Sequence, residues 1–238
     1  MAPRPKRKFR MTGAIALIQT DSDRDAAVLA LTQSCALMRQ IREAAGSPVL
    51  RRNPPGFLGL GRIVVFQQVS VASGTAIWSR VQAGIQPFTA QAVLALSDDA
   101  LRGFGLSRPK VRTLRAIATA IAAGALDLDG FTDAPDAHVR ESLIALHGVG
   151  PWTADVFLMF NLGRADAFAS GDLALQEAAR LVMNLEARPN AAELEAISER
   201  WRPWRAIAAL MLWDYYRVAR LGKDGRPKGA GQTGGAPV

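Results

Sequence analysis

Residues 146–172 read LHGVGPWTADVFLMFNLGRADAFASGD and combine a glycine hairpin, an apolar helical pattern and a Gly-Asp pair. A helix that ends near Leu146 is followed by Gly148 and Gly150, and glycine permits positive φ angles and close backbone approach. Pro151 favours the first turn of a second helix, where a missing N–H group costs nothing. The stretch therefore predicts two helices joined by a tight hairpin.

The backbone groups of this hairpin suggest two kinds of ligand. Unpaired N–H groups at a helix N-terminus favour a phosphate, so we expect phosphate binding at Gly148, Gly150 and Thr153. The carbonyl groups that face elsewhere are candidates for binding a monovalent cation, Na+ or K+, and belong to Ile144, Leu146 and Val149. The alternative is an ordinary tight turn between two helices, because a Gly-x-Gly sequence alone is weak evidence for binding.

Asp172 precedes a second apolar helical pattern, LALQEAARLV. Aspartate is a favoured N-cap residue, so capping alone explains its presence. A carboxylate at a helix N-terminus also meets the positive end of the helix dipole, which favours a negative charge there. The sequence therefore leaves open whether Asp172 is a cap, a functional carboxylate or both.

The composition points towards a polyanionic partner. The 238 residues carry a formal net charge of +8 and are 49% hydrophobic, enough for a sizeable core. A chain this basic usually meets nucleic acid, although a generally basic protein is the alternative. The single cysteine, Cys35, excludes an intrachain disulfide, a thiolate zinc site and a four-cysteine iron–sulfur cluster. The sequence has two histidines, His138 and His147, so we expect no histidine-based metal site and no cofactor.

The chain reads as helical throughout, with weak strand signals. The first helix is expected to start at Asp23 or Asp25 and to run to about Ala45. Residues 1–20 are predicted to form a basic tail, and the Gly-rich residues 221–238 a disordered one. No apolar run is long enough to span a membrane, so we expect a cytoplasmic protein without membrane contact.

Several motifs in order along the chain resemble one protein family. LHGVGPWTAD followed by SGD resembles the helix–hairpin–helix and Gly/Pro–Asp signature of the base-excision DNA glycosylases. FQQVSVASGTAIWSRV, GLSRPKVRTLRAIA and WRPWRAIAALMLW are similar to segments of the branch called 3-methyladenine DNA glycosylase II. These matches run from about Pro54 to Trp213. One departure is Ala169, which stands where the family often has proline and predicts a less rigid loop before Asp172.

The resemblance implies an all-α fold of two helical lobes with a helix–hairpin–helix motif. The catalytic region would cover 21–220, with a central lobe at about 65–180 and a second lobe built from the N- and C-terminal helices. The cleft between the lobes would hold the active site and DNA. The partner of the protein would be double-stranded DNA with a damaged base. The protein would bind this DNA as a monomer.

The resemblance also assigns roles to individual residues. Asp172 would be the catalytic carboxylate, since a negative charge stabilises the positive sugar that forms when an N-glycosidic bond breaks. Trp152 and Trp213 would line the base pocket, although tryptophans on apolar helices are more often core residues. Gln67 and Gln68 would fill or flank the gap left by the flipped base, or else be surface or capping residues.

The implied activity is hydrolytic removal of alkylated purines, of the 3-methyladenine and 7-methylguanine type, in DNA base excision repair. Lyase-type relatives carry a Schiff-base lysine at the position of Trp152, so we expect a monofunctional enzyme that leaves an abasic site. Two alternatives stay open: a non-catalytic helix–hairpin–helix DNA-binding protein, and a glycosylase for deaminated or oxidised bases.

Overall fold

The computed structural model describes residues 16–220, and all regular elements in that range are helices apart from one isolated bridge between Leu17 and Arg164. The predicted all-α class is confirmed. Both tails predicted from the sequence lie mostly or wholly outside the described residues, at 1–15 and 221–238. Within 16–220, no helix has the length and apolar character needed to cross a membrane.

Twelve α-helices follow one another along the described chain. The first seven are α1 (Asp21–Ser34), α2 (Ala36–Ala45), α3 (Gly56–Phe66), α4 (Val71–Gly84), α5 (Ala90–Ala95), α6 (Asp98–Gly103) and α7 (Arg108–Ala122). The other five are α8 (Asp136–Ile144), α9 (Pro151–Val156), α10 (Leu173–Met183), α11 (Ala191–Ser198) and α12 (Arg205–Arg220). Short 3-10 turns occupy Gly130–Thr132 and Glu199–Trp201, and a π-helical turn, Phe157–Leu162, continues α9.

The helices pack in two groups. In the terminal group, α12 packs against α1, α2 and α10, and α10 also contacts α11. In the central group, α7 packs against α3, α5 and α6, while α8 packs against α9 and α9 against α3. The loop that ends at Asp172 leads from the central group into α10. This residue therefore lies at the junction between the two groups.

The N-terminal helical segment is divided into two helices, which corrects the single helix expected from the sequence. Cys35 has an extended backbone, with φ −134° and ψ 115°, and separates α1 from α2. Just before it, the hydroxyl groups of Thr32 and Ser34 donate to carbonyls of the preceding turn. Such side-chain bonds compete with helix continuation. The cap of α1 is Thr20, paired with Asp23 in a capping box.

Residues 16–18, which the sequence places in the N-terminal tail, pair with the chain near Arg164. The backbone N–H of Ile18 donates to Gly163 O at 2.8 Å, and that of Ala165 donates to Ala16 O at 2.9 Å. Ile18 is buried. This segment therefore packs against the stretch that leads towards Asp172.

The two hairpin helices, α8 and α9, are joined by an ion pair around a buried carboxylate. Arg140 of α8 donates to Asp155 Oδ1 of α9 through Nε at 2.9 Å and Nη2 at 2.6 Å. Burial raises the pKa of Asp155 to about 6, and the neighbouring Arg140 opposes that rise. The buried charge is thus only partly compensated at neutral pH.

Asp155 gives the fold a pH-dependent contribution to stability that can be measured. Its folded-state pKa lies above the unfolded value, so its contribution is fully present below about pH 4 and is lost as pH rises through about 6. We expect the free energy of unfolding of wild type, relative to Asp155→Asn, to fall by about 2–3 kcal/mol between pH 4 and 7. Urea denaturation across this range measures the difference. A difference that stays constant or grows with pH would contradict the raised pKa.

Candidate active site

Asp172 is the N-cap of α10 and is almost fully buried. Its Oδ1 accepts hydrogen bonds from the backbone N–H groups of Ala174 at 2.9 Å and Leu175 at 3.0 Å. Only 8% of the residue is exposed. The capping role expected from the sequence is therefore real, and it places the carboxylate at the positive end of the α10 dipole.

Both tryptophans predicted for the site contact the Asp172 carboxylate. The indole Nε1–H of Trp152 donates to Oδ2 at 2.9 Å, and that of Trp213 donates to Oδ1 at 3.0 Å. Trp152 lies in the first turn of α9, and Trp213 lies in α12. Residues separated by 20 and 41 positions from Asp172 thus meet at one carboxylate. The family resemblance indicated that these residues would share one site but gave no sign of these hydrogen bonds.

The loop before Asp172 forms local hydrogen bonds and lacks the proline often found there. The Asp172 N–H donates to the carbonyl of Ala169 at 2.9 Å, which closes a turn. The side-chain amide of Gln176 donates to Ser170 O at 3.0 Å, and Ala169 is fully buried. Both hydrogen bonds are local contacts within residues 169–176, and the less rigid loop expected from the missing proline stays a prediction.

The hairpin between α8 and α9 has the conformation that its glycines suggest. Gly148 adopts φ +78°, in the left-handed region that favours glycine. The N–H of Val149 donates to Leu146 O at 3.1 Å, closing the turn. Gly150 is the N-cap of α9 with an extended backbone, and no atom outside the adjacent residues lies within 4 Å of where its Cβ would be. The backbone at Gly150 is therefore open to another molecule.

Gln67 is tied to the hairpin from the end of α3. Its Nε2 donates to Gly148 O at 3.2 Å and to Thr153 Oγ1 at 2.8 Å. Thr153 is buried as a whole residue and its hydroxyl accepts this bond from Gln67, so a phosphate contact from Thr153 stays a prediction. Gln68 is exposed and adopts φ +54°, an uncommon conformation for a residue other than glycine. The two glutamines thus differ: one braces the hairpin, and the other projects from the turn.

Lys110 is a structural contact of this region that the sequence analysis did not single out. Its Nζ donates to Val65 O at 2.7 Å in the last turn of α3, where helix carbonyls lack intrahelical partners. Burial lowers the pKa of Lys110 below the usual lysine value. This contact holds the turn that carries Gln67 and Gln68 against α7. Lys110 lies in the segment GLSRPKVRTLRAIA, and nothing in that segment specifies Val65 as its partner.

The carbonyls suggested for a monovalent cation lie where α8 ends. Ile144 is the last residue of α8, so its carbonyl belongs to the C-terminal, negative end of the helix dipole. Leu146 and Val149 follow in the hairpin, where hard oxygen ligands suit Na+ or K+. Within residues 16–220, no three His, Cys, Asp or Glu side chains are grouped so as to hold a metal ion. Backbone carbonyls are therefore the donors to consider for a cation here.

The two hairpin glycines should respond differently to substitution. A Cβ at Gly148 would overlap Thr113 Oγ1, and the residue would keep a left-handed φ. We expect Gly148→Ala to destabilise the fold by about 2–4 kcal/mol and Gly150→Ala to change it by less than about 1 kcal/mol. Urea denaturation of both variants measures this. Thr113→Ala should recover part of the Gly148→Ala loss, and equal losses at both glycines would show that the packing of Gly148 is not limiting.

Comparison with known proteins shows which family has a sequence similar to that of this chain. Residues 62–203 match the model of the HhH-GPD superfamily base excision DNA repair protein. A probable bifunctional transcriptional activator/DNA repair enzyme AlkA of Mycobacterium tuberculosis is 33% identical over 207 residues, 83% of this chain and 40% of that protein. DNA-3-methyladenine glycosylase 1 of Schizosaccharomyces pombe is 28% identical, over 70% of this chain and 75% of that protein.

A solved structure extends the likeness to three dimensions. The crystal structure of a DNA-3-methyladenine glycosidase from Bacillus halodurans superposes with a TM-score of 0.68 at 30% identity, covering 85% of this chain and 93% of that one. The chain spans 40% of the length of the mycobacterial relative. The matched region contains the hairpin, Trp152 and Asp172, and the chain belongs to the HhH-GPD superfamily of base excision DNA repair proteins.

Proposed function

We propose that this protein hydrolyses the N-glycosidic bond of alkylated purines in DNA, of the 3-methyladenine and 7-methylguanine type, and leaves an abasic site. The observation that supports this most is the buried Asp172 carboxylate. It accepts hydrogen bonds from the indole N–H groups of Trp152 and Trp213 beside a helix–hairpin–helix motif. Relatives named as 3-methyladenine DNA glycosylases point to the same substrate class.

Asp172 supplies the charge that this reaction needs. Cleavage of the bond leaves positive charge on the sugar, and a fixed carboxylate beside that sugar stabilises the transition state. The same group can orient the attacking water. Four N–H donors and the α10 dipole hold the carboxylate in place before substrate arrives. Such preorganisation avoids a reorganisation cost during the reaction.

Trp152 offers a surface for the damaged base. Its side chain is partly exposed at the start of α9, next to Asp172. An electron-rich indole attracts a base that carries positive charge, as N-alkylated purines do, by about 0.5–2 kcal/mol. Alkylated bases are therefore favoured over deaminated or oxidised ones, which are neutral. A DNA-binding module without catalysis would need neither a buried carboxylate nor this indole.

The described residues favour hydrolysis without strand cleavage. A Schiff base needs an amine at the sugar, and lyase-type relatives have a lysine where this chain has Trp152. Among residues 16–220 the sequence has one lysine, Lys110. Its Nζ is buried and donates to Val65 O, so it is engaged elsewhere.

DNA would be held through its phosphates at the hairpin and along α7. Pro151 has no N–H group, so Trp152 would supply the first N–H of α9 to a phosphate, and no atom outside the adjacent residues lies within 4 Å of a Cβ built at Gly150. Thr113 of α7 packs against Gly148. On the same helix, Arg108 and Arg112 are exposed and form no salt bridge with any residue of 16–220. A like-charged pair four residues apart costs stability, which a polyanion would recover.

A monovalent cation would strengthen phosphate binding at the hairpin. Bound by the carbonyls of Ile144, Leu146 and Val149, Na+ or K+ would add positive charge beside the hairpin amides. Both kinds of group would then face the same phosphate. We propose this site for the cation on the strength of its position at the end of α8.

Substitution of Asp172 tests the central claim. Asp172→Asn keeps the size and most of the capping ability of the side chain but removes its charge. We expect single-turnover release of 3-methyladenine from methylated DNA to fall by at least about 100-fold, while affinity for abasic DNA stays near wild type. Asp214→Asn makes the same change in α12, next to Trp213, and should release base normally. Near-normal release by Asp172→Asn would refute the assignment.

Borohydride trapping tests the absence of lyase chemistry. With no amine at position 152, incubation with damaged DNA and sodium borohydride should yield no covalent protein–DNA adduct. Strand breaks should appear only after treatment with alkali or heat. A lysine-dependent glycosylase/lyase, run in parallel, confirms that trapping works. An adduct stable to denaturing electrophoresis would overturn the claim.

The salt dependence of binding tests the role of α7. We expect Arg108→Ala and Arg112→Ala each to reduce the slope of log K against log salt by about one unit, on damaged and undamaged duplexes alike. Arg102→Ala removes the same charge from a residue that pairs with Asp99 and serves as the matched control. If Arg102→Ala lowers the slope as much as the other two changes do, the slope reports the net charge of the protein and not phosphate contacts of α7. Gly150→Ala should weaken binding without changing the slope.

A further inference from the structure

The two oxygens of Asp172 have unequal hydrogen-bond partners. Oδ1 accepts three donors, from Ala174 N, Leu175 N and Trp213 Nε1, at 2.9, 3.0 and 3.0 Å. Among residues 16–220, Oδ2 accepts one, from Trp152 Nε1 at 2.9 Å. An ionised carboxylate offers about four lone-pair sites, two on each oxygen. Oδ1 is therefore saturated, and the remaining acceptor capacity belongs to Oδ2.

The two indoles also differ in their surroundings. Trp213 is 3% exposed, and its ring lies 5.8 Å from the ring of buried Phe160, which belongs to the π-helical turn after α9. Trp152 is partly exposed. A base needs an accessible aromatic face to stack upon, and Trp152 has one whereas Trp213 is enclosed in the core.

From these contacts we infer that Trp213 is a positioning residue for Asp172 and not a wall of the base pocket. Its N–H, together with the two α10 amides, fixes Oδ1 and so sets the plane of the carboxylate. Oδ2 is then the oxygen presented to the reacting sugar or its water. This inference rests on the proposed glycosylase function and revises the role that the sequence analysis gave to Trp213.

A base wall and a residue that positions Asp172 act on different parts of the substrate. A base wall acts only when a base is present, and its effect depends on the charge of that base. A residue that positions Asp172 acts on the sugar, whichever base has left. Two abasic DNA duplexes, one with a cationic pyrrolidine ring and one with neutral tetrahydrofuran at the lesion, isolate this second effect. The pyrrolidine carries its charge where the transition state has positive charge.

The experiment compares binding of these two duplexes by variants that lose one indole N–H. Site-specific replacement of Trp213 by benzothienylalanine keeps the ring shape and exchanges N–H for sulfur. Trp213→Phe gives a second route to the same loss. The matched control makes the benzothienylalanine change at Trp201, which is fully buried and whose Nε1 has no partner among the described residues. Asp172→Asn sets the ratio expected without the carboxylate charge.

We expect wild type to prefer the pyrrolidine duplex and the Trp213 variants to lose about 10- to 100-fold of that preference, with tetrahydrofuran binding unchanged. The Trp201 control should keep the preference. In the Asp172→Asn background, changing Trp213 should have no further effect, because the two residues act as one unit.

The binding ratios distinguish failure of the inference from failure of the proposed function. If the Trp213 variants keep the full preference while Asp172→Asn loses it, Trp213 does not position the carboxylate and the inference is wrong. If both affinities fall together at Trp213, its role is general to folding or DNA binding, and the inference is again wrong. If wild type and Asp172→Asn show the same ratio, the carboxylate does not face the sugar and the proposed function itself fails.

Discussion

Four N–H groups from three helices converge on the carboxylate of Asp172, and the junction of the two helical groups is organised around that contact. A buried ionised carboxylate is costly unless it is hydrogen-bonded. Here α10 supplies two backbone donors, while Trp152 of α9 and Trp213 of α12 each supply an indole donor. The central and terminal groups must both be in place for the charge to be satisfied, so the functional group also fixes how the groups meet.

The hairpin and the carboxylate are linked through the first turn of α9. Gly150 caps this helix, and Trp152 follows two residues later with its indole on Asp172. Gly148 packs on Thr113, which fixes the hairpin against α7, and Gln67 braces it from α3. A phosphate bound at the hairpin would therefore stand in a fixed relation to Oδ2. In the proposed enzyme, the DNA backbone is aligned with the reacting group by rigid elements and not by flexible side chains.

The sequence predicted what depends on local chemistry. The hairpin follows from two glycines and a proline, and the N-cap at Asp172 follows from an aspartate before an apolar helix. It did not predict contacts between distant residues, such as Gln67 with Gly148, because nothing in the chain near Gln67 specifies its partner. The break at Cys35 was missed for a different reason. Thr32 and Ser34 are compatible with a helix, and their bonds to the preceding turn, which compete with helix continuation, cannot be read from the sequence.

Position 152 shows how one side chain decides several properties of this site together. A lysine there would bring an amine within reach of the sugar, but it would have to lose its proton to become a nucleophile. It would also remove the indole that donates to Oδ2 and the aromatic face beside it. Tryptophan instead leaves the carboxylate as the only reactive group described at the site and adds a surface that favours cationic bases. In the proposed enzyme, hydrolysis without a Schiff base and a preference for alkylated purines would both follow from this one residue.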